Sequence, residues 1–232
     1  MTGSRELLVL LPAFNEERRI AAVIGDVFAF CPSVLVVDDG SEDETAAVSR
    51  NAGAEVIRLD PNQGKGAALA RGFAYAAEQG FDAVITMDSD GQHRAGDLPG
   101  FIQAHAAGHR VVVGNRMSEV GDMPLIRRWT NRFMSGLLTR AMGQEVPDTQ
   151  NGFRLYGLEV LKQVNVEASR FAAESEILLE IAGLGIPIHS VPVETVYGDE
   201  RSKIRPVRDT VRFFKMLQRY KASKRAPEND ES

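Results

Sequence analysis

Apolar residues along this chain recur with two periods. Short runs rich in branched side chains read as buried strands: "LLVLLP" (7–12), "SVLVVDD" (33–39), "AEVIRL" (54–59), "DAVITMD" (82–88) and "HRVVVG" (109–114). Between the first two, Ile20, Val23, Ile24, Val27 and Phe28 recur at helical spacing. After the second, "SEDET" offers Ser41 as an N-cap with Glu44 three residues on, a capping-box start for a helix. Residues 67–77 read as an alanine-rich helix carrying Phe73 and Tyr75. Residues 123–142 also read as helical, with Leu125, Trp129, Phe133, Leu137, Leu138 and Ala141 on one side. "PDTQNGFRLY" (147–156) reads as a turn-rich loop, and residues 172–184 as a helix bearing Glu174, Glu176 and Glu180. Strands alternating with helices over short links predict an α/β fold with a doubly wound, mostly parallel sheet.

In such sheets ligands bind beyond the carboxyl ends of the strands. The first strand ends in Pro12-Ala13-Phe14-Asn15-Glu16, the second in Asp38-Asp39-Gly40-Ser41 and the fourth in Asp88-Ser89-Asp90, so these groups should share one crevice. "GKGAAL" (64–69) lacks the third glycine of a dinucleotide fingerprint, and Gly66 after Lys65 departs from the P-loop. A calcium loop fails as well, because a strand rather than a helix precedes Asp88 and Thr86 would stand at its first position. Two carboxylates crowded at a strand end, with Gln92 as a further oxygen donor, suit a hard divalent cation shared with phosphates. His93 belongs either beside such a cation or to the structure around it; His105, His109 and His189 have no acidic or cysteine partner at ligand spacing.

Composition narrows the setting. The chain has 232 residues, 44% hydrophobic and 25% charged, as in soluble globular proteins. Its single cysteine, Cys31, excludes an intramolecular disulfide framework. The opening residues lack the basic start and long apolar run of a signal peptide, and no run is long enough to span a bilayer, so a cytoplasmic protein is expected. Charge is uneven: residues 201–225 carry ten Lys or Arg against Asp209, within a chain of net charge −5. After Pro206, Val207, Val211, Phe214 and Leu217 fall on one helical face, with Arg208, Arg212, Lys215 and Arg219 around it. That is the pattern of an interfacial helix on an anionic membrane surface. Residues 226–232 read as a disordered tail. No nucleic-acid-binding module is recognisable.

"LPAFNEE", "VVDDGSEDET", "NQGKGAALARGF", "DSDGQH", "VGNRM" and "DTQNGFRLY", in this order, resemble the family 2 inverting glycosyltransferases, most closely the dolichol- or polyprenyl-phosphate mannose or glucose synthases. The resemblance runs from about residue 7 to about residue 203. It implies a GT-A fold over residues 1–200, ahead of the basic helical segment 201–225. It implies that Pro12, Phe14, Asn15, Glu16, Asp38 and Asp39 hold the base and ribose of a GDP- or UDP-hexose, with Lys65, Asp88, Ser89 and Asp90 completing the nucleotide-sugar site. Asp88, Asp90 and Gln92 would hold Mg²⁺ or Mn²⁺ on the diphosphate. Arg116, Arg127, Arg128 and Asn131 would bind the phosphate of a polyprenyl phosphate acceptor, and Ser202-Lys203 matches an "SK" element placed near that phosphate. Asp88, Asp90, Arg116 and Arg127 then carry the chemistry, on the cytoplasmic face of the membrane. This chain departs from the pattern at Ser89, where alanine is common, in the shorter stretch between Arg116 and Pro124, and at Asn131, where many relatives have a small hydroxyl residue. Two alternatives stand beside this: a same-fold enzyme acting on a sugar hydroxyl, with Asp148, Glu174 or Glu176 as the base, and a non-catalytic nucleotide-sugar-binding protein.

Overall fold

Strand β1 (Arg5–Ala13) sends alternate side chains to opposite faces, as a pleated strand must. Leu8 and Leu10 enter one core cluster, Val9 and Leu11 the other. Each of these leucines, removed from water, contributes about 2 kcal/mol. The computed structural model describes residues 5–118, 125–164 and 173–194, together with residue 218.

The remaining strands are β2 (Val34–Asp38), β3 (Glu55–Arg58), β4 (Phe81–Thr86), β5 (Val111–Asn115), β6 (Arg154–Gly157) and β7 (His189–Pro192). They form one seven-stranded sheet in the order β3-β2-β1-β4-β6-β5-β7. Every pairing is parallel except those of β6, which runs antiparallel to both β4 and β5. The helices are α1 (Ile20–Phe28), α2 (Thr45–Asn51), α3 (Lys65–Gln79), α4 (Leu98–Ala106), α5 (Leu125–Met142), α6 (Leu158–Leu161) and α7 (Ala173–Gly183). Leu69 and Phe73 of α3, Leu138 of α5 and Leu178 of α7 pack on the face of Leu10. Ile24 of α1 and Phe101 of α4 pack on the face of Val9. The mostly parallel α/β sheet matches expectation, and so do its first five strands.

Three local expectations change. The helix after β2 starts at Thr45 rather than behind Ser41, because the Ser41 hydroxyl is taken by the Asn15 N–H at 2.9 Å. Asp43 serves that helix start instead, accepting the Thr45 N–H at 3.0 Å. On α5 the expected Leu138 is buried, with Leu137 and Ala141 packed against the core, but Met134 and Met142 join them and Phe133 points outward at 59% exposure. Finally, the end of the expected loop at 147–156 is strand β6, and β7 arises where no strand was expected. The segment 201–225 and the tail 226–232 lie outside the described residues, residue 218 apart.

Candidate active site

The loops leaving β1 and β2 are stitched together. The Asn15 side chain accepts the Glu42 N–H at 2.8 Å, and the Glu16 N–H is donated to Thr45 Oγ1 at 2.8 Å. Asn15 holds φ at +57°, a region that asparagine tolerates better than most residues and that these bonds hold in place. Asp38 is fully buried, with Oδ1 accepting the Ser41 N–H at 3.0 Å and Oδ2 paired with Arg58 at 3.1 Å. Asp39 accepts the backbone N–H groups of Gln63 at 2.8 Å and Gly64 at 2.7 Å, which draws the loop before α3 against the strand end. Gly40 turns between them at φ +72°, and a Cβ there would stand 2.8 Å from the Asn62 backbone nitrogen. Phe14 is left 41% exposed at this rim.

Beside it lies the acidic turn after β4. The Ser89 hydroxyl donates to the Pro12 carbonyl at 2.9 Å, tying this turn to β1; an alanine there would lack the tie. Asp90 accepts the Gln92 backbone N–H at 3.0 Å. The Lys65 ammonium, in the first turn of α3, stands 2.5 Å from Asp88 Oδ1 and 3.1 Å from Glu174 Oε1 on α7. His93 Nε2 approaches the other Asp88 oxygen at 3.4 Å, its ring tilted against Phe153. Lys65 thus supplies Asp88 with a positive charge from the protein itself.

Crowding by protein atoms works to raise the Asp88 pKa, but Lys65 and then His93 outweigh it and hold the carboxyl well below the ordinary range. The same crowding opposes a charge on Lys65, yet Asp88 and Glu174 push its pKa above the usual lysine value. Gly152 lies against both acids: a Cβ there would be 3.0 Å from Glu174 Oε1 and 3.1 Å from each Asp88 oxygen.

The far wall is built by the segment from α5 to β6. Arg116, just past β5, meets the fully buried Asp148 with Nε at 2.6 Å and Nη2 at 2.9 Å, a bidentate pair. Ser135 of α5 accepts the Thr149 N–H at 3.0 Å, and Asn151 donates to the Gly114 carbonyl at 2.9 Å. Arg154 is 1% exposed and donates to the carbonyls of Asn151 at 2.6 Å, Thr149 at 2.8 Å and Glu174 at 2.5 Å. Burial opposes its charge, but Tyr156, Glu174 and Asp148 around it raise its pKa. Composition gave no sign of this residue; the one signal was an arginine set among Phe153, Leu155 and Tyr156. Asn131 is half-buried on α5, and Arg127 and Arg128 belong to the same helix, although their side chains lie outside the described residues, as do Ser202 and Lys203.

Among the described residues no three His, Cys, Asp or Glu side chains gather as a metal cage. Asp88 and Asp90 nonetheless fit a hard cation that takes most of its oxygens from a diphosphate and water, as Mg²⁺ does. No helix among the described residues is long and apolar enough to cross a membrane.

Comparison with known proteins bears on the family and the fold. The profile of the family described as Glycosyl transferase family 2 matches residues 8–164. A dolichyl-phosphate hexose transferase from Haloferax volcanii is 31% identical over 81% of this chain and 82% of its own length. A polyprenol monophosphomannose synthase from Mycolicibacterium smegmatis is 27% identical over 82% of this chain and 77% of its own. Among solved structures, glucosyl-3-phosphoglycerate synthase from Mycobacterium tuberculosis with UDP superposes with a TM-score of 0.74 at 24% identity, covering 93% of this chain and 80% of that one. The same enzyme with Mn²⁺, UDP and phosphoglyceric acid gives a TM-score of 0.72 at 21% identity, over 97% and 80% of the two chains.

Proposed function

The chain belongs to glycosyl transferase family 2 and has the GT-A fold, and from that premise we propose that it moves a hexose from a nucleoside diphosphate sugar to a polyprenyl phosphate at the cytoplasmic face of a membrane. The observation that carries this is the meeting of three strand ends around Asp88 and Asp90, with the exposed Phe14 ring on one side and Lys65 on the other. Phe14, Asn15 and Glu16 line the half of the crevice that would receive the base and ribose. Asp38 and Asp39 hold its walls through Arg58, Ser41, Gln63 and Gly64.

A divalent cation held by Asp88 and Asp90 would offset the charge that grows on the leaving diphosphate. Lys65 adds a fixed positive charge at the same place. Such an acceptor would need no general base. A phosphate monoester has a second pKa of about 6 and is already an anion at neutral pH, so attack needs cations to aim it rather than a proton acceptor. Asp148, one of three carboxylates that the sequence offered as a base, is buried and held in both oxygens by Arg116. Arg116 keeps its place just past β5, and Arg127, Arg128 and Asn131 on α5 would join it on the acceptor's phosphate. The basic segment 201–225, with Ser202 and Lys203 near its start, would bring this wall to an anionic lipid surface.

The test is an assay matrix of purified protein with Mn²⁺ or Mg²⁺, GDP- and UDP-hexoses, and either polyprenyl phosphate or free sugars. Transfer to polyprenyl phosphate that needs the cation is the expected result. Asp88→Asn and Asp90→Asn should each lose roughly a thousandfold in turnover. Near wild-type rates at saturating Mn²⁺ would sink the metal assignment, and transfer to free sugars alone would replace the acceptor.

A further inference from the structure

Lys65 has two acidic partners where one would neutralise it. Its ammonium lies between Asp88 and Glu174, and the two carboxylates flank the same point above Gly152. Glu174 is not loosely placed: the buried Arg154 donates to its backbone carbonyl, and α7 packs Ile177 and Leu178 into the core. A cation arriving at Asp88 meets an ammonium that already stands against one oxygen of that carboxylate. The two positive charges repel, so a second carboxylate within reach of Lys65 lowers the cost of drawing the ammonium away.

We infer that Glu174 is a positioning residue that takes over the Lys65 ammonium when a divalent cation occupies Asp88. Lys65 is then the resident counter-charge of the acidic turn, keeping Asp88 ionised and in place before the donor arrives. Glu174 turns its displacement into a shift between neighbours rather than a release into solvent. The ammonium remains within the crevice, close to where the diphosphate charge develops. This inference rests on the metal assignment made above.

The experiment is a Mn²⁺ titration of protein saturated with GDP or UDP, read by loss of the free Mn²⁺ electron-spin signal against a protein-free control. Glu174→Gln should weaken Mn²⁺ binding by about three- to tenfold, and the same change made on Lys65→Met by less than about twofold, because neighbours that share a partner are not additive. Glu174→Asp, which keeps the charge but shortens the reach, should behave like Glu174→Gln. Thermal melts confirm that each variant is folded. Equal weakening with and without Lys65, or a Glu174→Asp protein that binds like wild type, overturns the inference and leaves the metal assignment standing. Wild-type protein that binds no more Mn²⁺ than Asp88→Asn overturns both.

Discussion

Asp148 holds Arg116 through both of its carboxylate oxygens, at 2.6 and 2.9 Å, and accepts the Arg116 backbone N–H as well. Sequence position alone made these two residues rivals, one a phosphate ligand and the other a base. In the fold they are a single unit. Replacing Asp148 by asparagine leaves a nearly buried guanidinium without its counter-charge, which destabilises by about 3 kcal/mol. Urea unfolding of Asp148→Asn should show that loss. A general base would give a different result, with turnover abolished and stability unchanged.

Gly152 sets the room around the acidic turn. Its added Cβ would stand 3.1 Å from the Asp88 oxygens, so Gly152→Ala must push that carboxylate aside by a few tenths of an ångström. Displacing a reacting group on this scale lowers rate steeply, and a loss of about tenfold in kcat/KM is expected with Tm little changed. An alanine variant with full activity would show that Asp88 can move freely.

The ion pair of Lys65 and Asp88 should be insensitive to pH through the neutral range. Asp88 has a lowered folded-state pKa, so its contribution to stability is present above the ordinary value of 3.8 and is lost as pH falls through the folded value. Lys65 has a raised one, so its contribution is present below 10.5 and is lost as pH rises through the folded value. The stability difference between wild type and Lys65→Met should therefore be flat from about pH 5 to 9 and shrink only in stronger acid or base. A difference that changes through pH 6 to 7 would show that this pair does not set it.

The basic segment can be tested by truncation. Full-length protein and a chain ending at Ile204 are compared for co-sedimentation with anionic vesicles at low and high salt. Each cation near such a surface contributes about 1 kcal/mol, so full-length protein should bind and be released by salt. Equal binding by the truncated chain would move the membrane contact elsewhere, to a surface such as the one carrying Phe133.

The half of the site built on β1, β2 and β4 was legible because its residues lie at the ends of apolar runs whose period is local. β1, β2 and β4 could be read from Leu8, Val36 and Val84 and their neighbours, and topology then gathers Asn15, Asp39 and Asp88. The far wall was not legible for the opposite reason. β6 begins with a charged residue, and Arg154 reads as polar loop unless its carbonyl partners at Thr149 and Glu174 are known. Ser41 had the spacing of a cap, but Asn15, distant in sequence, claims its hydroxyl. The pairing of Lys65 with Glu174 joins two helices that no periodicity relates.

Strand β6 also dictates when the crevice is finished. β1, β2 and β3 pair with neighbours nearby in the chain, whereas β4 meets β1 by joining Leu7 to Ala83, and β6 meets β4 by joining Ala83 to Gly157 across the intervening α4 and α5. Closing that long loop is entropically unfavourable until the parallel strands offer a surface to dock on. β1 to β3 should form as an early folding unit, and the antiparallel wedge should insert afterwards, carrying Arg154 and with it the seat of Glu174. Pulsed hydrogen exchange during refolding should find the amides of β1 and β2 protected before those of β6; simultaneous protection would mean that the sheet closes in one step.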